Sequence, residues 1–166
     1  MVTRKKKKVK KNNKTRKRLS PIKKKIKKLE KIFKQYPDIF PRGYYRFFET
    51  SMRKKLENKE IIFKNGVILT WKLYKRDPGK NKPMNKGDLK INQLVNKNQG
   101  NGMAKKIFVA FLKKHKDKNI FLDVKKDNKR AIQFYKKNGF KKIGTTKFGN
   151  IQGIIMKKSK NLKGGG

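Results

Sequence analysis

Cysteine is absent from the 166 residues. Its absence excludes disulfides, thiolate nucleophiles and cysteine-ligated metals. Histidine occurs once, at His115, so a histidine-built metal centre or a Ser-His-Asp triad is improbable chemistry for this chain. Acidic side chains are scarce: ten Asp and Glu stand against 52 Lys and Arg, a formal net charge of +42. No apolar run approaches the roughly 18 residues that a membrane-spanning helix needs. The N-terminus is basic but lacks the apolar stretch of a signal peptide. These absences predict an intracellular protein, cytoplasmic or associated with nucleic acid, whose partners are anionic.

What is abundant is lysine, 44 against 8 arginines. Lysine is a point charge rather than a bidentate fork, which suits sequence-independent phosphate contact. A coding sequence rich in A and T would also inflate Lys, Asn and Ile, but it does not account for an acid-free tail. The first 28 residues hold 16 basic residues and no acidic one. Residues 1–19 have no periodicity and almost no apolar side chains, and read as a disordered polycation: a nucleic-acid arm, an import signal or a solubilising tail. The rest, about 130 residues, is long enough for a packed core.

Ser20-Pro21 reads as a helix start, Ser at the N-cap and Pro at the first helical position. Ile22, Ile26, Leu29, Ile32, Phe33 and Tyr36 follow at helical spacing. The result is a basic amphipathic helix over 20–36, docking on its own domain or, in the minority reading, on a membrane surface or partner. A second helix is predicted from about Tyr44 to Asn58, with Phe47, Phe48, Met52 and Leu56 as its apolar face. The period then switches to two. Glu60–Phe63, a turn containing Asn65-Gly66, and Val67–Tyr74 predict a β-hairpin. Residues 76–87 carry two prolines and two glycines and read as a loop. A strand at Leu89–Asn96, a helix at Met103–Lys114, a strand at Ile120–Val124, a helix at Asn128–Asn138 and strands at about Phe140–Thr145 and Ile151–Lys157 complete the reading. Residues 161–166 read as a flexible end.

Chemistry concentrates where the strand INQLV runs into NKNQGNGMAKK and an apolar helix. Gly100 and Gly102 allow a tight strand-to-helix turn and leave main-chain N–H groups open to a ligand. The first helical turn then presents unpaired N–H groups with the helix dipole behind them, an anion site. The turn is neither a P-loop, which ends in G-K-[ST], nor a dinucleotide turn, which needs a third glycine. Further along, Asn128, Ala131, Phe134, Tyr135, Gly139 and Phe140 form N-x-x-A-x-x-F-Y-x-x-x-G-F.

With both motifs in order, the sequence resembles the GNAT acetyltransferase superfamily over residues 89–158. Gln99-Gly100-Asn101-Gly102-Met103-Ala104 is similar to its [Q/R]-x-x-G-x-[G/A] signature at every specified position. The resemblance implies an α/β fold with a mixed, mostly antiparallel central sheet flanked by helices, spanning 20–160. It implies acetyl-CoA as cosubstrate and an N-acetyltransferase reaction by direct attack of an amine. Backbone amides from Gln99, Gly100, Asn101, Gly102, Met103 and Ala104 would hold the pyrophosphate. Main chain at Leu94 and Val95 would pair with the pantetheine arm at a splay between two strands. Asn128 would hydrogen-bond the pantetheine, and Tyr135 would protonate the leaving thiolate. Each has a plainer reading: Asn128 as an N-cap, Tyr135 as a core aromatic, the glycines as turn formers.

The sequence departs from the family in two ways. INQLVN carries amides and no acid, so Asp88, Glu49 and Asp123 are the nearby carboxylates and a water relay is the alternative base. The family's first strand is not evident. The acceptor expected is an amine on a nucleic-acid-associated macromolecule, with the tail as a tether to nucleic acid or another polyanion; an acidic small metabolite is the other acceptor class. The alternative is a non-catalytic polycation on the same fold that binds or packages nucleic acid, for example in a virus particle.

Overall fold

The computed structural model describes residues 20–161. The polybasic segment 1–19 and residues 162–166, read above as a disordered tail and flexible end, lie outside the described residues. Asn161 itself is tied down, its N–H donating to the Lys116 carbonyl at 2.8 Å.

The chain runs α1 (Pro21–Phe33), a 3-10 helix (Arg42–Phe47), α2 (Phe48–Glu57), β1 (Ile61–Lys64), β2 (Val67–Leu73), β3 (Leu89–Asn96), α3 (Met103–Lys114), β4 (Ile120–Lys125), α4 (Lys129–Lys137), β5 (Lys141–Phe148) and β6 (Ile151–Lys158). The six strands form one sheet in the order β1-β2-β3-β4-β6-β5. Every neighbouring pair is antiparallel except β3–β4. That parallel pair needs a crossover, which α3 supplies.

Each face of the sheet carries a helical layer. On one, Leu69, Trp71, Leu89, Ile91, Leu122 and Met156 pack with Phe108, Phe111 and Leu112 of α3 and with Ala131, Ile132, Phe134 and Tyr135 of α4. On the other, Ile26, Leu29, Ile32 and Phe33 of α1 and Phe48 and Met52 of α2 pack on Ile68 and Val95. Leu29 and Phe33 are fully buried, each contributing on the order of 2 kcal/mol by leaving water. The basic amphipathic helix thus spends its apolar face on its own domain, which leaves no such face for a membrane.

Local chemistry explains most boundaries. Ser20 Oγ accepts from the Lys23 N–H at 3.3 Å, the expected N-cap. α1 stops at Phe33 rather than reaching Tyr36, because Pro37 disfavours helical geometry in the residue before it. Tyr36 instead donates its hydroxyl to the Asn96 carbonyl at 2.6 Å, fastening the end of β3. The second helix differs more. A six-residue 3-10 helix from Arg42 takes the place of its first turn, bringing Tyr44 and Tyr45 onto the Phe33–Phe40–Phe48 aromatic cluster. Phe47, expected on the apolar face, is 67% exposed. The β1–β2 turn forms as read, with positive φ at both Asn65 and Gly66.

Candidate active site

Two features meet where β3 and β4 end. The first is a gap between the strands. They pair only through Leu89↔Ile120, Lys90↔Phe121 and Ile91↔Leu122. Beyond that point β3 continues to Asn96 and β4 to Lys125 without pairing to each other. The divergence coincides with a bulge in β3: Trp71 of β2 opposes Ile91 and Thr70 opposes Gln93, so Asn92 is the extra residue. Side-chain alternation changes phase there. Leu89 and Ile91 face α3, whereas Asn92 and Gln93 both turn toward the α1–α2 layer. Leu94 then faces α3 and Val95 faces α1 and α2. The edge of β3 that faces β4 is thus unpaired at Leu94 and Val95.

Lys55 of α2 braces the bulge. Its Nζ donates to the Trp71 carbonyl at 2.5 Å and to Asn92 Oδ1 at 2.9 Å. Burial lowers its pKa, with Lys72 acting the same way and Glu60 opposing. On the same face Gln93 contacts Thr70 Oγ1 and donates from Nε2 to the Tyr44 hydroxyl at 3.0 Å. Burial raises the Tyr44 pKa well above its ordinary value, so that hydroxyl stays protonated.

The second feature is the turn from β3 into α3. Gly100 and Gly102 hold φ of 86° and 69°, the left-handed region that favours glycine. A Cβ on either would meet nothing within 4 Å, so the space above the turn is open. Gly102 is the N-cap of α3 and no side chain caps it. Its carbonyl accepts from the Lys106 N–H at 3.1 Å, leaving the Ala104 and Lys105 N–H groups in the uncapped first turn. The Met103 N–H, read above as a ligand donor, is taken internally by Asn101 Oδ1 at 3.1 Å. Asn96 Nδ2 also approaches that oxygen, at 3.4 Å. Asn101 thus orders the turn through its side chain.

α4 closes the site. Asn128 Oδ1 accepts from the Ala131 N–H at 3.1 Å, an N-cap that leaves its Nδ2 donor uncommitted. Arg130 Nη1 donates to Gln99 Oε1 at 3.0 Å, tying α4 to the α3 turn across the gap. The Tyr135 ring packs against Phe108, Phe134 and Phe140. Burial raises its pKa to about 12. The core-aromatic reading of the ring therefore holds and leaves the hydroxyl a donor throughout the neutral range.

All three carboxylates weighed from sequence have partners. Asp88 is buried and accepts from the Asn85 N–H at 2.9 Å and from Asn119 Nδ2 at 3.0 Å. Glu49 pairs with Arg53 at 3.1 Å. Asp123 is the one acid on the two diverging strands, one residue past the last β3–β4 pair. It alternates with the core residues Leu122 and Val124 and pairs with Lys90 Nζ at 2.6 Å. Sequence reasoning missed Lys55, Arg130 and the Tyr44–Gln93 contact. Only Arg130, two residues past the Asn128 cap, had a local signal.

The family model for the acetyltransferase (GNAT) family matches residues 96–140, which span the turn, α3, β4 and α4. The chain has the GNAT acetyltransferase fold. Solved structures agree along nearly the whole body. A structure described as histone acetyltransferase HPA2 and related acetyltransferase from Corynebacterium glutamicum matches with a TM-score of 0.63 at 13% identity, covering 87% of this chain and 93% of that one. A GNAT-family acetyltransferase from Streptococcus agalactiae gives 0.63 at 14% identity, covering 84% and 92%. The ribosomal-protein-alanine N-acetyltransferase of Brucella melitensis gives 0.59 at 15% identity, covering 82% and 94%. No curated protein matches the chain in sequence. Identities this low establish the GNAT fold alone. Among the described residues, no helix is long and apolar enough to cross a membrane.

Proposed function

We propose that this protein is an acetyl-CoA-dependent N-acetyltransferase whose acceptor amine sits on a nucleic-acid-associated macromolecule, with residues 1–19 as the tether. One observation carries the reading. The β3–β4 gap and the glycine turn into α3 adjoin each other, an open strand edge beside an uncapped helix N-terminus. An extended arm ending in a pyrophosphate fits that pair of features.

Acetyl-CoA supplies the activated acyl carbon when bound. The chain's residues do the rest. The N–H groups of the Gln99–Ala104 turn, apart from that of Met103, hold the diphosphate, and the Leu94–Val95 edge aligns the arm. Proximity is the largest contribution such a site makes, and a main-chain donor near Val95 stabilises charge developing on the carbonyl oxygen. An alkylamine with a pKa of about 10.4 arrives protonated and must lose a proton before attack. Asp123, directly or through water, is the carboxylate placed to take it. Tyr135 faces the leaving group. Its pKa of about 12 exceeds a thiol's ordinary value of about 8.5, so it stabilises the thiolate by donating a hydrogen bond rather than by surrendering its proton.

The same fold without catalysis is the second reading, and the Lys90–Asp123 ion pair favours it by occupying the one available carboxylate. Calorimetric titration of acetyl-CoA near physiological salt separates the two. A saturable one-to-one site, with acetyl transfer to a lysine-containing peptide lost in Asp123→Asn, supports the enzyme. Saturable binding without transfer to any amine makes the fold a cofactor-binding scaffold, and no binding removes the proposal. Deletion of residues 1–19 weakens nucleic-acid affinity and flattens its salt dependence if they are the tether.

A further inference from the structure

A concave groove lies at the end of the molecule opposite the β3–β4 gap. It has a volume of about 570 Å³ and lies between the C-terminal ends of α3 and α4. Its position is fixed by the sheet, because β4 begins and β6 ends there, with Ile120 paired to Lys158. α3 separates it from the glycine turn by twelve residues, about 18 Å of helix. Lys113, Lys116 and Lys118 stand on the α3 side, and Lys137 and Lys158 on the α4–β6 side. No acidic residue lines it. The nearest acid in sequence, Asp117, is 68% exposed and 3.6 Å from Lys118, the one groove lysine with a carboxylate partner among the described residues.

The groove is a built feature. Its far wall is held by the Asn161 N–H on the Lys116 carbonyl at 2.8 Å and by the Lys160 N–H on Asn119 Oδ1 at 3.2 Å. Lys158 Nζ lies against the end of α4, 2.8 Å from where a Cβ on Gly139 would stand. Two helix C-termini point at the groove, and their partial negative charge favours nearby cations. That accounts for a lysine at the end of each helix. It does not account for Lys116 and Lys118, which lie beyond the end of α3, or for Lys158, which comes from a strand.

The geometry points to a second binding site: the groove holds the phosphodiester backbone of a nucleic acid, independently of the N-terminal segment and of the acetyltransferase reading. Cations on facing walls of a concave surface focus their field along its floor. A chain of phosphates threads such a groove, whereas a flat bilayer meets only its rim. Lysine without arginine suits phosphate contact that is indifferent to base sequence.

The test uses the full chain, a fluorescein-labelled 20-nucleotide oligo(dT) and anisotropy at several salt concentrations. Lys116→Gln, Lys118→Gln and Lys137→Gln together should lower affinity at least tenfold near physiological salt. The slope of log affinity against log salt should fall by about 2, at roughly 0.7 for each phosphate no longer neutralised. A control triple on α1 (Lys24→Gln, Lys28→Gln, Lys31→Gln) removes the same charge and should change affinity less than threefold. Equal losses would overturn the site in favour of net-charge attraction. So would loss of binding to anionic phosphatidylserine vesicles with oligo(dT) affinity intact. Lysine footprinting with an acylating reagent on the unmodified protein avoids any folding defect in the variants. Bound oligo(dT) should at least halve the reactivity of Lys113, Lys116, Lys137 and Lys158 and spare the α1 lysines. If saturating CoA protects the same groove lysines and displaces the oligonucleotide, the groove belongs to the cosubstrate's own site and the proposal fails.

Discussion

Gly102 separates what the chain needs to fold from what a ligand needs to bind. Its φ of 69° costs any L-residue about 1–2 kcal/mol, and a Cβ there meets nothing within 4 Å. Gly102→Ala and Gly102→Glu therefore carry the same strain and no clash, and should unfold at the same urea concentration, a little below the parent. They should part in binding. A glutamate carboxylate about 6 Å from a diphosphate charge is repelled by about 3 kcal/mol at an effective dielectric of about 20. Salt screening reduces this to about 2 kcal/mol at an open surface. At about 1.4 kcal/mol per tenfold, Glu should weaken acetyl-CoA affinity about 30-fold relative to Ala. Calorimetry of both variants at one salt concentration reads the ratio. Equal affinity in Ala and Glu would mean that the phosphates do not sit at this turn, and the argument from the open helix N-terminus would be wrong.

The other expectations are simpler. Tyr135→Phe should reduce turnover tenfold or more and leave acetyl-CoA affinity within about twofold; unchanged turnover would return Tyr135 to core packing alone. Lys55→Met should cost about 1–3 kcal/mol in chemical denaturation, because it removes two charge-assisted hydrogen bonds from a half-buried site. It should also lower acetyl-CoA affinity if the bulge sets the strand gap. His115 has its pKa lowered by burial first and then by Lys114, with Asp117 opposing. A lowered folded-state pKa gives stability that is present above the unfolded value of about 6.5 and is lost as pH falls through the folded value. The urea midpoint should therefore drop between pH 7.5 and pH 5, and His115→Gln should flatten that drop.

The legible parts of this fold were those where one residue type has one conformational reason. Asn65-Gly66 announced the β1–β2 turn and Ser20-Pro21 the start of α1, and each stands where it was read. The α3 turn was legible for the same reason, since two closely spaced glycines have few other uses. The second helix was misjudged because periodicity counts apolar residues without saying where they pack. Tyr44 is drawn onto Phe33 and Phe40, and Tyr45 onto Phe48, by tertiary contact, and the backbone tightens to a 3-10 helix to allow it, at the expense of exposing Phe47.

The site's centre was illegible for a deeper reason. Alternation along INQLVN assigns Asn92 and Leu94 to one face and Gln93 and Val95 to the other. The bulge breaks that rule between Ile91 and Gln93. The groups that accompany it come from elsewhere in the chain: Lys55 is 37 residues from Asn92, and Tyr44 is 49 residues from Gln93. No local pattern carries such a pairing. Yet the bulge turns Gln93 toward Tyr44, turns Leu94 toward α3 and coincides with the end of pairing to β4. The same extra residue thus sets Gln93 on the α1–α2 face and Leu94 on the α3 face. A deletion of Asn92 should restore strict alternation with Leu94 still facing α3 and Val95 still facing α1 and α2, and should let β3 go on pairing with β4 so that the gap closes. It should abolish acetyl-CoA binding while leaving the α3 turn sequence untouched. Retained binding in a folded deletion variant would show that the strand gap does not depend on the bulge.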